Sequence, residues 1–132
     1  NKKYIENIDI FAKSFRRREG LSKNFKFKNF TNKPTLLKQK YDLIINASNA
    51  GMSHGNKINR NILRLVKKTK GVIDIVYNPL ETDLLKEAEK HNIKSIGGLI
   101  MLVEQAKPSF EIWSKKDIEI DDKIYRSLIS KI

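Results

Sequence analysis

Four short stretches of the sequence carry residue types that could do chemistry. AKSFRRR (12–18) sets Lys13, Arg16, Arg17 and Arg18 around Ser14. Guanidinium and ammonium groups beside a helix start suit a phosphate. NASNAGMSHG (46–55) runs from Asn46 through Ala47 and Ser48 to Gly51 and Met52. So little bulk lets a flat ligand lie against backbone. YNPLET (77–82) brings Tyr77 to the end of an apolar run, where its hydroxyl can project into a crevice. GGLIMLVEQA (97–106) opens on Gly97 and Gly98 and carries Gln105 on an otherwise apolar helix. Gln105 lies about two turns beyond Gly98 and so returns to its face. Each stretch also has a plainer reading: an exposed basic helix, a turn, a packing tyrosine, a satisfied polar group, and a core position for Met101.

The elements that position these residues follow from apolar spacing. NIDIFA (7–12) predicts a strand and SFRRREGLSKNF a short helix with Ser14 as N-cap and an end near Gly20. FKFKNF (25–30) alternates with period two and predicts a strand; a weak helix runs from Pro34 to Gln39. YDLIINA (41–47) and GVIDIVY (71–77) are nearly continuous apolar runs, the pattern of strands covered on both faces. Ile58, Ile62, Leu65 and Val66 fall at helical spacing, and ETDLLKEAEKHN (81–92) is a helix with Thr82 as N-cap. IKSIGG (93–98) is a short strand, residues 99–113 an apolar helix that Pro108 should kink or break, and residues 117–132 a last helix. Strand and helix alternate, which predicts an α/β fold with a mostly parallel sheet and helices on both faces. Ligands of such sheets bind at the carboxyl ends of the strands, where all four stretches fall. A dinucleotide fold that prefers NAD has a carboxylate after its second strand for the ribose 2′-hydroxyl. Here Ala12 is followed by cations, which favours the 2′-phosphate of NADP.

Composition narrows the function classes. The chain of 132 residues carries a net charge of +12 and no cysteine. Disulfides and cysteine-based zinc sites are thereby excluded, and a reducing cytoplasm fits. No apolar run approaches the roughly 20 residues that cross a bilayer. His54 and His91 lack a carboxylate pattern, so no metal site is expected. The charge is local: residues 1–40 hold 12 Lys and Arg against three acidic residues, a net of +9. With Phe25, Phe27 and Phe30 among lysines, a basic nucleic-acid-binding module is the alternative from another class.

In order, NASNAGM, DIVYNPLET and IGGLIMLVEQAKPSFEIW resemble the C-terminal, NADP-binding half of the shikimate dehydrogenase family. The family's versions look like N-A-T-P-x-G-M, D-x-x-Y-x-P-x-x-T and N-G-x-x-M-L-V-x-Q-A followed by F-x-x-W. AKSFRRR looks like its N-R-T-x-x-K/R turn, with Ala12 for the usual Asn; Ser48, Asn49 and Gly97 also depart from the common residues. The resemblance implies a Rossmann-like three-layer parallel sheet lacking its first βα unit, with C-terminal helices. Residues 1–98 would be the remainder of the NADP domain, and 99–132 helices packing partly against an N-terminal substrate domain. Lys13, Ser14 and Arg17 would hold the 2′-phosphate, Asn46, Ala47, Ser48, Gly51 and Met52 the cofactor wall, and Gly98 and Met101 the nicotinamide pocket. Tyr77 and Gln105 would face shikimate or 3-dehydroshikimate. The activity implied is NADPH-dependent reduction of 3-dehydroshikimate in cytoplasmic aromatic amino-acid biosynthesis. An NAD-preferring quinate/shikimate dehydrogenase is a close variant. The family's S-x-S serines, catalytic Lys and Asp and G-x-G-G-A turn are not among these residues. The chain is therefore expected to be a piece of a longer protein, without dehydrogenase activity alone. Its C-terminal helices should expose apolar surface, and self-association is left open.

Overall fold

The computed structural model describes residues 8–12, 29–31 and 40–131, which fall in two units, Asn1–Gln39 and Lys40–Ile132. In the first unit β1 (Asp9–Phe11) pairs in parallel with β2 (Asn29–Thr31), Ile10 opposite Phe30. The strand expected at 7–12 is found, shorter than its apolar pattern. Strand β2 overlaps the strand expected at 25–30 at Asn29 and Phe30, residues 25–28 lying outside the described residues. The helices expected after Ser14 and Pro34 lie outside the described residues.

The second unit runs β3 (Leu43–Asn46), α1 (Arg60–Val66), β4 (Gly71–Asp74), α2 (Asp83–Lys90), β5 (Lys94–Ile96), α3 (Gly98–Ser114) and α4 (Asp122–Ile129). The three strands form one parallel sheet in the order β3-β4-β5. Parallel neighbours need crossovers, and α1 and α2 supply them. Three of the four helices start where a side chain takes an orphan N–H, while α3, with Gly97 at its N-cap, has no side-chain cap. Asn59 accepts from the Asn61 amide at 2.8 Å, Thr82 from Leu85 at 3.3 Å, and Asp121 from Ile124 at 3.0 Å.

The core lies between the sheet and the two crossover helices. Ile58, Val66, Val72, Leu84 and Ala88 are buried together, with Ile44, Ile62, Leu63 and Ile93 packed around them. Ile44 and Val72 are paired across β3 and β4, so alternation sends one face of each strand into this core. The reading of β3 as covered on both faces is corrected, because Leu43 and Ile45 on its other face are 46% and 57% exposed. Uninterrupted apolar sequence reports only that a strand tolerates burial on both sides.

Pro108 neither ends nor divides α3, which is helical from Gly98 to Ser114. Pro108 and Glu104 are both exposed, so water can satisfy the carbonyl that loses its N–H partner. The expected apolar surface is present: Phe110, Ile112 and Trp113 on α3 and Ile129 on α4 are exposed. Tyr125 donates to Glu104 at 3.3 Å and ties the two helices. Partial desolvation, then the Glu104 charge, raises the Tyr125 phenol above its ordinary value. Among the described residues no helix is long and apolar enough to cross a membrane.

Candidate functional site

The carboxyl ends of β3 and β4 and the start of α3 are bound to one another by polar contacts. Strand β3 ends on Asn46 and β4 on Asp74, which stand opposite each other in register. The Asp74 carboxylate is fully buried and accepts three hydrogen bonds. Oδ1 takes the Asn46 carboxamide at 2.9 Å and the Val76 amide at 3.1 Å. Oδ2 takes the Thr82 hydroxyl at 2.7 Å. An ionised carboxylate only accepts, so every partner must present a donor.

That requirement sets the direction of the loop after β3. Asn46 presents its amide group to Asp74 and to the Ala50 carbonyl, the latter at 2.8 Å. Its Oδ1 therefore turns to Ser48 and accepts from the hydroxyl at 2.7 Å and the amide at 3.2 Å. The Ser48 hydroxyl in turn accepts from the Ala50 amide at 3.2 Å. With all four of its bonding positions used, the Asn46 side chain offers a ligand only its place in the wall.

Gly51 follows at φ +96°, a conformation that L side chains rarely adopt, and lies against the methyl end of Thr82. Its amide donates to Asn56 at 2.8 Å, closing the loop. Beyond it Ser53 bonds Asn78 through side chain and backbone, at 3.0 and 3.4 Å. The loop at 46–53 thus reaches the turn that holds Tyr77. The third component is α3, whose Gly98 amide donates to the Val76 carbonyl at 3.2 Å.

Of the residues predicted from sequence, Asn46 and Gly98 are buried, Gly51 is half-buried, and Ala47, Ser48 and Met52 are exposed along the same loop. Tyr77 is exposed just beyond β4, and Met101 and Gln105 are exposed on α3. Gly98, Met101 and Gln105 are spaced so that they share one face of the helix. Lys13, Ser14 and Arg17 lie outside the described residues. The bareness of Gly98 has a use inside the fold, since a side chain there would strike the backbone of Ile75 and Val76. Asp74 opens the quoted motif DIVYNPLET, but sequence alone assigned it no role. Its signal was a lone acid within the apolar run GVIDIVY. Among the described residues no cluster of three His, Asp or Glu could hold a metal.

A parallel sheet with helical crossovers and small, polar and glycine-bearing strand exits is a Rossmann-like α/β arrangement. The chain is a homologue of shikimate dehydrogenases over about half of their length. A shikimate dehydrogenase (NADP(+)) of Methanococcus maripaludis strain S2 is 38% identical over 135 residues, which cover 96% of this chain and 48% of that protein. Its counterpart from strain C6 is 42% identical over 92 residues, covering 67% and 33%. Among solved structures, a chorismate mutase/shikimate 5-dehydrogenase fusion protein from Clostridium acetobutylicum aligns with TM-score 0.73 at 32% identity, over 96% of this chain and 45% of that one. A shikimate dehydrogenase in complex with NADP+ aligns with TM-score 0.68, also at 32% identity, over 95% and 46%. The match is consistent with the C-terminal half of these proteins. No family model matches the chain.

Proposed function

We propose that this chain is the NADP-binding portion of a shikimate dehydrogenase, which reduces 3-dehydroshikimate to shikimate with NADPH in aromatic amino-acid biosynthesis. The observation that carries the reading is the joined set of strand exits at Asn46, Val76 and Gly98, on a chain 38% identical to an NADP-dependent relative. The cofactor lies along Ala47, Ser48, Gly51 and Met52, with Asn46 framing the wall from behind. Lys13, Ser14 and Arg17 hold the 2′-phosphate, Gly98 and Met101 bound the nicotinamide, and Tyr77 and Gln105 face the substrate. The cofactor supplies the hydride; the protein binds and orients it. The exposed apolar faces of α3 and α4, within residues 99–132, pack partly against the remainder of the protein, which carries the acid and base. The setting is the cytoplasm, in keeping with a cysteine-free chain.

Melting curves with NADP+ and NAD+ test the cofactor. Ligand that binds the folded state alone raises the melting temperature, with a stabilisation that grows as the logarithm of its concentration over its dissociation constant. NADP+ is expected to protect at lower concentration than NAD+, and the 132 residues alone to leave shikimate unoxidised. Protection by NAD+ at lower concentration than NADP+ would support the NAD-preferring variant. No protection by either, with salt-sensitive binding to nucleic acid, would replace this reading with the basic module.

A further inference from the structure

Every candidate ligand-facing segment of the second unit leads back to Asp74. Through Asn46 it reaches Ser48 and Ala50, through Val76 it reaches the residue before Tyr77 and the α3 start, and through Thr82 it reaches the cap of α2. It is also wholly enclosed, so it meets no ligand itself. We infer that Asp74 is the positioning residue of the site: its buried carboxylate holds the 46–52 loop against the end of β4 in the form that receives the cofactor.

The geometry explains why a carboxylate stands there. Three donors from three segments converge on a buried point: a side-chain amide, a backbone N–H and a hydroxyl. A hydrophobic residue would leave all three unpaired, and a serine is too short to span them. The carboxylate also removes a choice from Asn46. A carboxamide can flip end for end, but facing an obligate acceptor it must present its amide. Only then does Oδ1 meet both donors of Ser48 and draw the loop into its observed turn. Asparagine at position 74 keeps one oxygen for Asn46 and Val76, and its amide can donate to Thr82. Alanine keeps neither.

The loop arm of the test needs no ligand; the binding arm rests on the NADP reading. Asp74→Ala and Asp74→Asn are made in the full natural polypeptide that carries these residues. Amide hydrogen exchange is then followed at Ser48 and Ala50, with α4 amides as reference. Asp74→Ala is expected to speed exchange at Ala50 at least about tenfold, leaving α4 unchanged, while Asp74→Asn stays within about threefold of the native protein. The dissociation constant for NADP+, measured well below each variant's melting temperature, should rise at least about tenfold in Asp74→Ala. It should be largely restored in Asp74→Asn, a rescue that a loss of overall stability would not produce. Unchanged exchange at Ala50 in folded Asp74→Ala overturns the inference. So does folded Asp74→Ala that binds NADP+ as the native protein does. If Asp74→Ala does not fold, Asn46→Ala cuts the same link from the loop side and must speed Ala50 exchange equally; unchanged exchange there overturns the inference as well. A freed loop in a native protein that never bound NADP+ would uphold the positioning role and remove the cofactor assignment.

Discussion

Replacing Gly98 by alanine sets two opposed effects against each other, and the structure decides between them. Alanine favours helix over glycine by up to about 1 kcal/mol, and less at a first-turn position. The added methyl, however, would stand 2.2 Å from the Ile75 carbonyl oxygen, 2.4 Å from its carbon and 2.7 Å from the Val76 carbonyl carbon. All three atoms are backbone. Restoring an ordinary separation of roughly 3.5 Å requires α3 to withdraw by about 1 Å. That movement would stretch the 3.2 Å bond from the Gly98 amide to Val76 out of range. Overpacking costs about 1–3 kcal/mol and the lost bond about 1 kcal/mol more. The net effect is a destabilisation of about 1–3 kcal/mol, or roughly 5–20 °C in melting temperature for a unit of this size. Thermal unfolding followed by circular dichroism measures it. Gly97→Ser is the control: its Cβ meets only the tip of Leu85, at 3.3 Å, and serine suits the N-cap of α3, so a change within about 0.5 kcal/mol is expected. A Gly98→Ala protein melting at or above the native temperature would refute the argument.

Other substitutions probe the rest of the structure. Thr82→Val keeps shape but strips Asp74 Oδ2 of its donor and Leu85 of its cap, which should cost about 2–4 kcal/mol as a lower urea midpoint at unchanged slope. A loss under about 1 kcal/mol would mean that the carboxylate has other support. Lys70 lies 2.6 Å from Asp42, and that hydrogen bond, then the Asp42 charge, raises its pKa above the ordinary lysine value. A raised folded pKa contributes stability below the unfolded lysine value and loses it as pH climbs through the folded one. Both side chains are highly exposed, so the melting difference between native protein and Asp42→Asn should be small at pH 7 and vanish at alkaline pH or in high salt. Trp113 and Ile112 are 82% and 74% exposed, so in the 132 residues alone lysine at both should reduce apolar-dye binding while moving stability by no more than about 0.5 kcal/mol each. A large loss on melting would show that these side chains are buried in solution.

Elements specified by local rules were legible in the sequence. Thr82 caps α2 as its hydroxyl and position require, and the apolar runs at 43–46 and 71–74 are the paired parallel strands. What depended on distant partners was hidden. Asp74 bonds Asn46 across 28 positions and Thr82 across eight, and only the register of β3 on β4 brings the three together. Gly98 was legible as a close-approach position, but sequence does not say that the approaching body is the chain's own backbone at Ile75. Exposure was the hardest property to read, as Leu43 and Ile45 illustrate: side-chain chemistry fixes the gain on burial and leaves open which neighbour provides it.

The loop after β3 and the first turn of α3 form the wall of the proposed NADP site. Backbone amide shifts recorded by nuclear magnetic resonance during titration with NADP+ test this most directly. The prediction is saturable movement of the Ser48, Ala50, Gly51 and Gly98 signals, stationary α4 signals, and a weaker response to NAD+. Saturating NADP+ that left residues 46–52 unmoved would contradict it.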